Sequence, residues 1–220
     1  MEDRDDATAI IDRQSLGEEI ANSITHGIGV LLSVAAVVVL LTFSSQQRDA
    51  WRIASFSIYG ATLIFLYLAS TLYHSFSGRS IKRFLRKLDH AAIFLLIAGT
   101  YTPVTLILMR DSWWGWILFA AIWLMTICGV ALNFIFFGKL RALSIVFYLT
   151  MGWLAVTAFK PLSTAAPLGF VMWLIIGGIC YSLSMLFYSW RKMPYHHMIF
   201  HLLILAGSFS HFFGLLKYLT

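Results

Sequence analysis

The stretch PYHHMIFHLLILAGSFSHF, residues 194–212, combines an apolar run suited to a lipid bilayer with four of the chain's seven histidines. A spanning helix needs about 20 largely apolar residues in succession, and the chain supplies them from His196 to its C-terminus. Ionisable side chains are costly inside a bilayer and are functional candidates where they occur. The stretch therefore predicts a transmembrane helix that carries part of a functional site.

The whole chain has the composition of a polytopic membrane protein. Of its 220 residues, 60% are hydrophobic and 12% are charged, and the mean hydropathy is +0.80, whereas a soluble domain carries about 25% charged residues. Only helices and closed barrels satisfy the backbone inside lipid, and apolar runs this long indicate helices. We predict an all-α integral membrane protein, a seven-transmembrane helix bundle. Its spans are roughly 23–43, 53–74, 89–109, 113–136, 141–160, 168–190 and 196–218.

The placement of basic residues predicts the orientation of this bundle. With the N-terminus in the cytoplasm, eleven Lys and Arg residues fall on the cytoplasmic side, five of them in the connection 75–88, and five fall outside. The positive-inside rule then gives a cytoplasmic N-terminus and an external C-terminus. Residues 1–22 hold seven of the ten acidic residues and are predicted to form an acidic cytoplasmic tail. A single seven-helix transmembrane domain, 23–220, follows it.

The net charge of +6 is explained by this bias and by contact with anionic inner-leaflet lipids. The basic residues form no patch interleaved with aromatic residues, so no nucleic-acid partner is expected. Cys128 and Cys180 lie deep in apolar runs and form no metal or disulfide motif.

This topology brings polar residues from three helices to one depth on the cytoplasmic side. His74 ends the second predicted span, Asp89 begins the third, and His197 and His201 lie in the first turns of the seventh. The i, i+4 spacing presents two imidazoles on one helix face. His74 could add a third nitrogen, which leaves a fourth position open, as in a catalytic zinc site. Asp89 could then orient a histidine or act on a bound water.

Ser70 lies four residues before His74 and on the same helix face. Its hydroxyl could donate to a substrate carbonyl, or it could bond back to its own helix. Each histidine at a helix end also has an alternative role as an interfacial residue.

The remaining histidines are predicted to lie outside the metal set. His196 is predicted to be interfacial, and His211 to make a helix–helix hydrogen bond. His26 either contacts the site or is interfacial, and His90 faces elsewhere. Pro103 lies within the third predicted span and is expected to kink it.

Four stretches resemble a known family: EEIANSITHGIG (18–29), ASTLYH (69–74), KLDHAAIFLLIAGTYTPV (87–104) and PYHHMIFH (194–201). They resemble the hemolysin III family, the bacterial branch of the progestin and adipoQ receptor superfamily. The resemblance implies a bacterial inner (plasma) membrane protein with a cytoplasmic N-terminus and a zinc site near the cytoplasmic face. The implied zinc ligands are His74, His197 and His201, with Asp89 on a zinc-bound water and Ser70 alongside.

Three functions follow as hypotheses. The first, implied by the proposed ceramidase activity of eukaryotic relatives, is a zinc-dependent hydrolase of a lipid amide. In it Asp89 takes the proton of the attacking water, and a membrane lipid is the substrate. The second is a non-catalytic sensor or regulator of membrane state with structural zinc. The third is a pore, which is disfavoured because no row of polar residues runs the length of any predicted helix.

Overall fold

The computed structural model describes residues 14–138 and 141–220. Seven stretches within them are long and apolar enough to cross a membrane, which confirms the predicted all-α seven-span bundle. These stretches are Leu16–Gln47, Ala50–Ser75, Arg79–Leu108, Trp113–Ile135, Ala142–Ala165, Leu168–Ser189 and His196–Leu219.

Eight α-helices build the seven spans, because the fifth span contains two short helices. They are α1 Leu16–Gln46, α2 Ala50–Ser75, α3 Arg79–Pro103, α4 Trp113–Ile135, α5 Arg141–Gly152, α6 Phe159–Ala165, α7 Leu168–Ser189 and α8 His196–Leu219. A 3-10 turn, Leu154–Ala158, joins α5 to α6. The most extensive packing is between α1 and α2, α2 and α3, and α7 and α8, and α1 also packs on α8. The first and last spans are therefore neighbours.

Helix α1 begins within the predicted acidic tail, seven residues before the first predicted span. Ser15 closes a capping box, since its hydroxyl accepts from the N–H of Glu18 and its own N–H donates to the Glu18 carboxylate at 2.8 Å. Reciprocal bonding of this kind satisfies two free donors at a helix start. Glu18 and Glu19 therefore lie in the first turn of a spanning helix. Residues 1–13 of the predicted tail lie outside the described residues.

The predicted connection 75–88 is wrong in its extent, because α3 already begins at Arg79. Leu85 is buried and Leu88 packs against the core, while Arg79 and Arg83 stay exposed. This amphipathic pattern continues the helix beyond the apolar window. Long basic side chains can carry their charges to the headgroup region while their stems lie on apolar surface, so a helix can extend past the hydrocarbon layer.

Pro103 marks a change of helix type within the third span, where its missing N–H removes one helical hydrogen bond. The α-helix ends at Pro103 and a π-helical turn, Val104–Leu108, follows it. The hydroxyl of Thr105 donates to the carbonyl oxygens of Tyr101 and Thr102 at 3.0 and 3.1 Å. The side chain thus bonds carbonyls next to the break.

Two glycines mark close approaches between helices, as small residues do in membrane bundles. A Cβ placed on Gly29 of α1 would lie 2.6 Å from Cδ1 of Tyr67 of α2. A Cβ placed on Gly177 of α7 would overlap the His211 ring and lie 3.1 Å from the Gly207 carbonyl oxygen of α8. These positions fix how α2 and α8 sit against their neighbours.

Candidate metal centre

The rings of His74, His197 and His201 converge between the end of α2 and the start of α8. Each ring offers a nitrogen, and the three nitrogens lie within 4.8 Å of one another. The His74 ring centroid is 5.1 Å from both other centroids, which are 4.6 Å apart. All three side chains are buried. The structure therefore brings together the three histidines selected from the sequence.

The first turn of α1 helps to fix the helix that carries two of these rings. Tyr195, immediately before α8, has a left-handed backbone conformation with φ 55°. Its N–H donates to Oε1 of Glu18 at 3.0 Å. The start of α8 is thus tied to the start of α1, and the one-turn spacing of His197 and His201 then points both rings to the same side.

The donor set fits a metal ion. Nε2 of His74, Nε2 of His197 and at least one ring nitrogen of His201 are buried and have no hydrogen-bond partner within residues 14–138 and 141–220. Leaving a buried polar atom unpaired costs about 1–3 kcal/mol, so several together in one place indicate a binding site. Imidazole nitrogens suit zinc, copper, iron and nickel. The three histidines could hold such an ion, and their donor type alone does not select zinc.

Glu19 belongs to this centre and was missed by the sequence analysis. Oε2 of Glu19 lies 2.7 Å from Nδ1 of His74, and Nζ of Lys82 donates to Oε1 of Glu19 at 2.6 Å. The capping-box spacing of Ser15 and Glu18 was the available signal, because it marks a helix start. Because α1 begins at Leu16, Glu19 lies in its first turn, next to the end of α2 that carries His74.

Asp89 and Ser70 lie beside the histidines. Asp89, in the third turn of α3, is close enough to interact electrostatically with His74 and with the Ser70 hydroxyl. Ser70 is fully buried, and its hydroxyl has no hydrogen bond of ordinary length in the part of the chain that the structure describes. It does not bond back to its own helix, whereas Thr71 donates to the Tyr67 carbonyl at 2.7 Å. The Ser70 hydroxyl therefore lies beside the Asp89 carboxylate and not against its own helix.

His26 lies directly on the centre. Its ring stacks on that of His201 with centroids 3.5 Å apart and planes 15° apart, and it meets Tyr67 edge-on at 5.0 Å. The side chain is buried, so the interfacial alternative is wrong and the alternative of a contact to the site is correct. The Tyr67 hydroxyl in turn donates to Oγ of Ser208 at 2.7 Å, which anchors the ring that supports His26.

The other three histidines do not join the metal set. His211 makes the predicted helix–helix bond, with Nε2 3.2 Å from the carbonyl oxygen of Leu174. His196 was predicted to be interfacial, which is wrong, because it is buried and its Nδ1 lies 2.9 Å from the carbonyl oxygen of Phe187 at the end of α7. His90 packs against the rings of Phe137 and Tyr188.

An apolar cavity of about 300 Å³ adjoins the centre. Asp89, His26 and His197 line one end, and Tyr101 and Val104 lie among its lining residues further along α3. At 1.5 Å per residue, the rise of α3 from Asp89 to Val104 is about 22 Å. The centre therefore faces a long, mostly apolar space inside the bundle.

Comparisons with known proteins agree with this architecture. Residues 14–212 match the family described as "Haemolysin-III related". The chain is 44% identical to "Hemolysin-3 homolog" of Bacillus subtilis (strain 168), an alignment that covers 93% of this chain and 95% of the relative. It is 43% identical to "Hemolysin-3" of Bacillus cereus, with 93% of each chain covered. It is 28% identical to the human "Monocyte to macrophage differentiation factor" over 92% of this chain and 84% of the relative. The chain therefore belongs to the haemolysin III family of integral membrane proteins, and its seven apolar helices fit an inner-membrane location.

Proposed function

We propose that the protein is a zinc-dependent hydrolase that cleaves a lipid amide, as a ceramidase does, at a site near the cytoplasmic face. One observation carries the proposal: three buried histidines with unpaired nitrogens adjoin Asp89 at one end of a long apolar cavity. Pockets that combine apolar walls with a few convergent polar groups are typical of small-molecule and catalytic sites.

The three histidines, Asp89 and Ser70 have different roles in this reaction. His74, His197 and His201 would hold the ion, which would supply Lewis acidity and make water a better nucleophile. Asp89 accepts a proton from the attacking water as its oxygen bonds to the amide carbon. The Ser70 hydroxyl donates to the carbonyl oxygen, where negative charge develops. The C–N bond then breaks, and the proton passes from Asp89 to the departing amine.

The cavity explains why a lipid would be the substrate. Its lining residues from Asp89 to Val104 extend over about 22 Å of α3, more than half of the roughly 30 Å hydrocarbon layer of a bilayer. In this proposal one acyl chain lies along these residues. The amide of such a lipid lies where headgroup and acyl chain meet, and with a cytoplasmic N-terminus this is the level of the three histidines. Apolar walls also keep bulk water from the reacting bond.

The basic first turns of α3 support an interaction with anionic inner-leaflet lipids. Arg79 and Arg83 are exposed there, beside the exposed apolar side chains of Ile81 and Phe84. Exposed cations near a membrane surface attract anionic headgroups by about 1 kcal/mol each. This interaction would hold the cytoplasmic end of α3, and with it Asp89, at a fixed depth.

The test is release of fatty acid by the protein purified without a metal-affinity tag. Wild type and Asp89→Asn are mixed with vesicles that contain an N-acyl sphingoid lipid or a diacyl phospholipid, and fatty acid is quantified by mass spectrometry. We expect release from the amide lipid, loss with a chelator and recovery with zinc. Asp89→Asn should retain the metal and lose activity. Bound metal that stabilises the protein without any product from either lipid would instead favour the sensor with structural zinc.

A further inference from the structure

We infer that Glu19 is a positioning residue that holds His74 in its Nδ1–H tautomer and aims the lone pair of Nε2 into the metal centre. The inference rests on the metal-binding part of the proposed function and is independent of whether the protein hydrolyses lipid. It gives a role to an acidic side chain outside the histidine and aspartate set.

The hydrogen bond fixes which nitrogen of His74 is free. The 2.7 Å separation of Nδ1 and Oε2 is that of a strong charge-assisted bond. An ionised carboxylate can only accept, so Nδ1 must carry the proton. Nε2 is then the unprotonated nitrogen, and it is the one that is buried without a partner among the described residues. A carboxylate behind a metal-binding histidine orients the ring and increases its basicity.

Lys82 holds the carboxylate in place from a third helix. Its ammonium lies 2.6 Å from Oε1 of Glu19 and 5.1 Å from the centroid of the Tyr73 ring. The Glu19 side chain is 16% exposed, so its charge is mostly removed from water. Burial of a carboxylate requires a compensating partner, and Lys82 supplies one while the second oxygen bonds His74. The series Lys82, Glu19 and His74 thus connects α3, α1 and α2 to the metal centre.

Asp49 provides a control far from the centre. It caps the start of α2, at the opposite end of that helix from His74, and its carboxylate accepts from the N–H of Trp51 at 2.9 Å. Asp49→Asn keeps an acceptor oxygen for the cap and removes the charge, as Glu19→Gln does. Only Glu19→Gln weakens the acceptor behind His74.

The experiment measures metal affinity of the full-length protein in detergent, with Zn²⁺ in competition against a chromophoric chelator and with Co²⁺ as a spectroscopic probe. We expect Glu19→Gln to weaken affinity by about 10–100-fold, as loss of such a partner does, and to change the Co²⁺ visible spectrum. Asp49→Asn should match wild type. Glu19→Asp, which keeps the charge on a shorter side chain, should restore part of the affinity.

The outcomes separate this inference from the proposed function. If Glu19→Gln has the metal affinity of wild type, the proposed role of Glu19 is overturned and the metal centre is not. Wild type that binds no metal would overturn both. If Glu19→Gln does not fold, Lys82→Met tests the same series, because it leaves the carboxylate without its cation and should also lower affinity. Nitrogen-15 NMR of histidine-labelled, metal-free wild type gives a further readout, and a proton on Nε2 of His74 would refute the inference.

Discussion

Replacing Gly29 with alanine should destabilise the bundle, although alanine is the better helix former. A Cβ at residue 29 would lie 2.6, 2.8 and 2.9 Å from three carbons of the Tyr67 ring. The ring must retreat by about 0.8 Å before the nearest contact reaches the 3.4 Å of ordinary packing. It cannot retreat freely, because its hydroxyl donates to Ser208 and its edge meets His26.

The size of the effect follows from three contributions. Overpacking a well-packed site costs about 1–3 kcal/mol, and a lost interhelical hydrogen bond in a membrane protein costs about 0.6 kcal/mol. Alanine regains about 1 kcal/mol over glycine in helix propensity. The net loss in free energy of unfolding should be about 1–2 kcal/mol for Gly29→Ala.

Gly27 is the control, because it lies one helical half-turn away and a Cβ there meets only Cγ2 of Thr71 at 3.8 Å. Gly27→Ala gains the same propensity without a clash, so the two variants should differ by about 2–3 kcal/mol. Unfolding by SDS titration in mixed micelles, followed by circular dichroism, measures the difference. If Gly29→Ala and Gly27→Ala unfold with the same free energy, the Tyr67 ring is not fixed between α1 and α8.

The remaining predictions concern the metal, the reaction and the orientation. Elemental analysis should find about one metal ion per wild-type chain and none in the variant with His197→Ala and His201→Ala, whereas equal metal in both would exclude these ligands. Asp89→Asn should lower turnover by about 10²–10⁴-fold at unchanged metal content, and unchanged turnover would remove Asp89 from the proton transfer. In a background without the native cysteines, an impermeant maleimide on intact cells should label Asp111→Cys and spare Arg83→Cys. The reverse pattern would invert the proposed topology.

Much of the metal centre could be predicted from sequence because a membrane fixes depth. Once the spans are assigned, His74 and the pair His197 and His201 must lie near the same surface. The i, i+4 spacing supplies the common face. Asp89 was placed by the same reasoning. Asp89 still lies beside His74 after the correction to α3, because the added residues 79–88 precede it on the same helix.

Two features were missed because charge was taken as a sign of solvent exposure. Glu19 was assigned to a tail and the basic residues of α3 to a connection, yet both lie in helices. At the ends of spans, acidic and basic side chains can pair across helices instead of remaining in water. The 2.6 Å contact of Lys82 with Glu19 is such a pair. Hydropathy windows exclude these residues, so they place helix ends too far inward.

The sequence of α1 also indicates which face of this helix lies toward the bundle. Its buried residues include Asn22, Thr25, His26, Gly29 and Ser33, whereas Ile20, Ile24 and Ile28 are exposed. In a membrane the bundle-facing side of a helix is small and polar, and the lipid-facing side is large and apolar. Applied to the sequence of residues 16–46, this pattern alone predicts that His26 faces the bundle.

The position of the histidines along the chain has a consequence for biosynthesis. Two of the three lie on α8, which follows the other described helices along the chain, and residues 1–195 contain only His74 of the set. Metal binding at the proposed site would therefore have to follow insertion of α8. Until then the membrane holds six spans that carry His74 alone of the three histidines. The proposed ion would thus bind only a bundle in which α2 and α8 have both packed against α1, before any catalytic turnover begins.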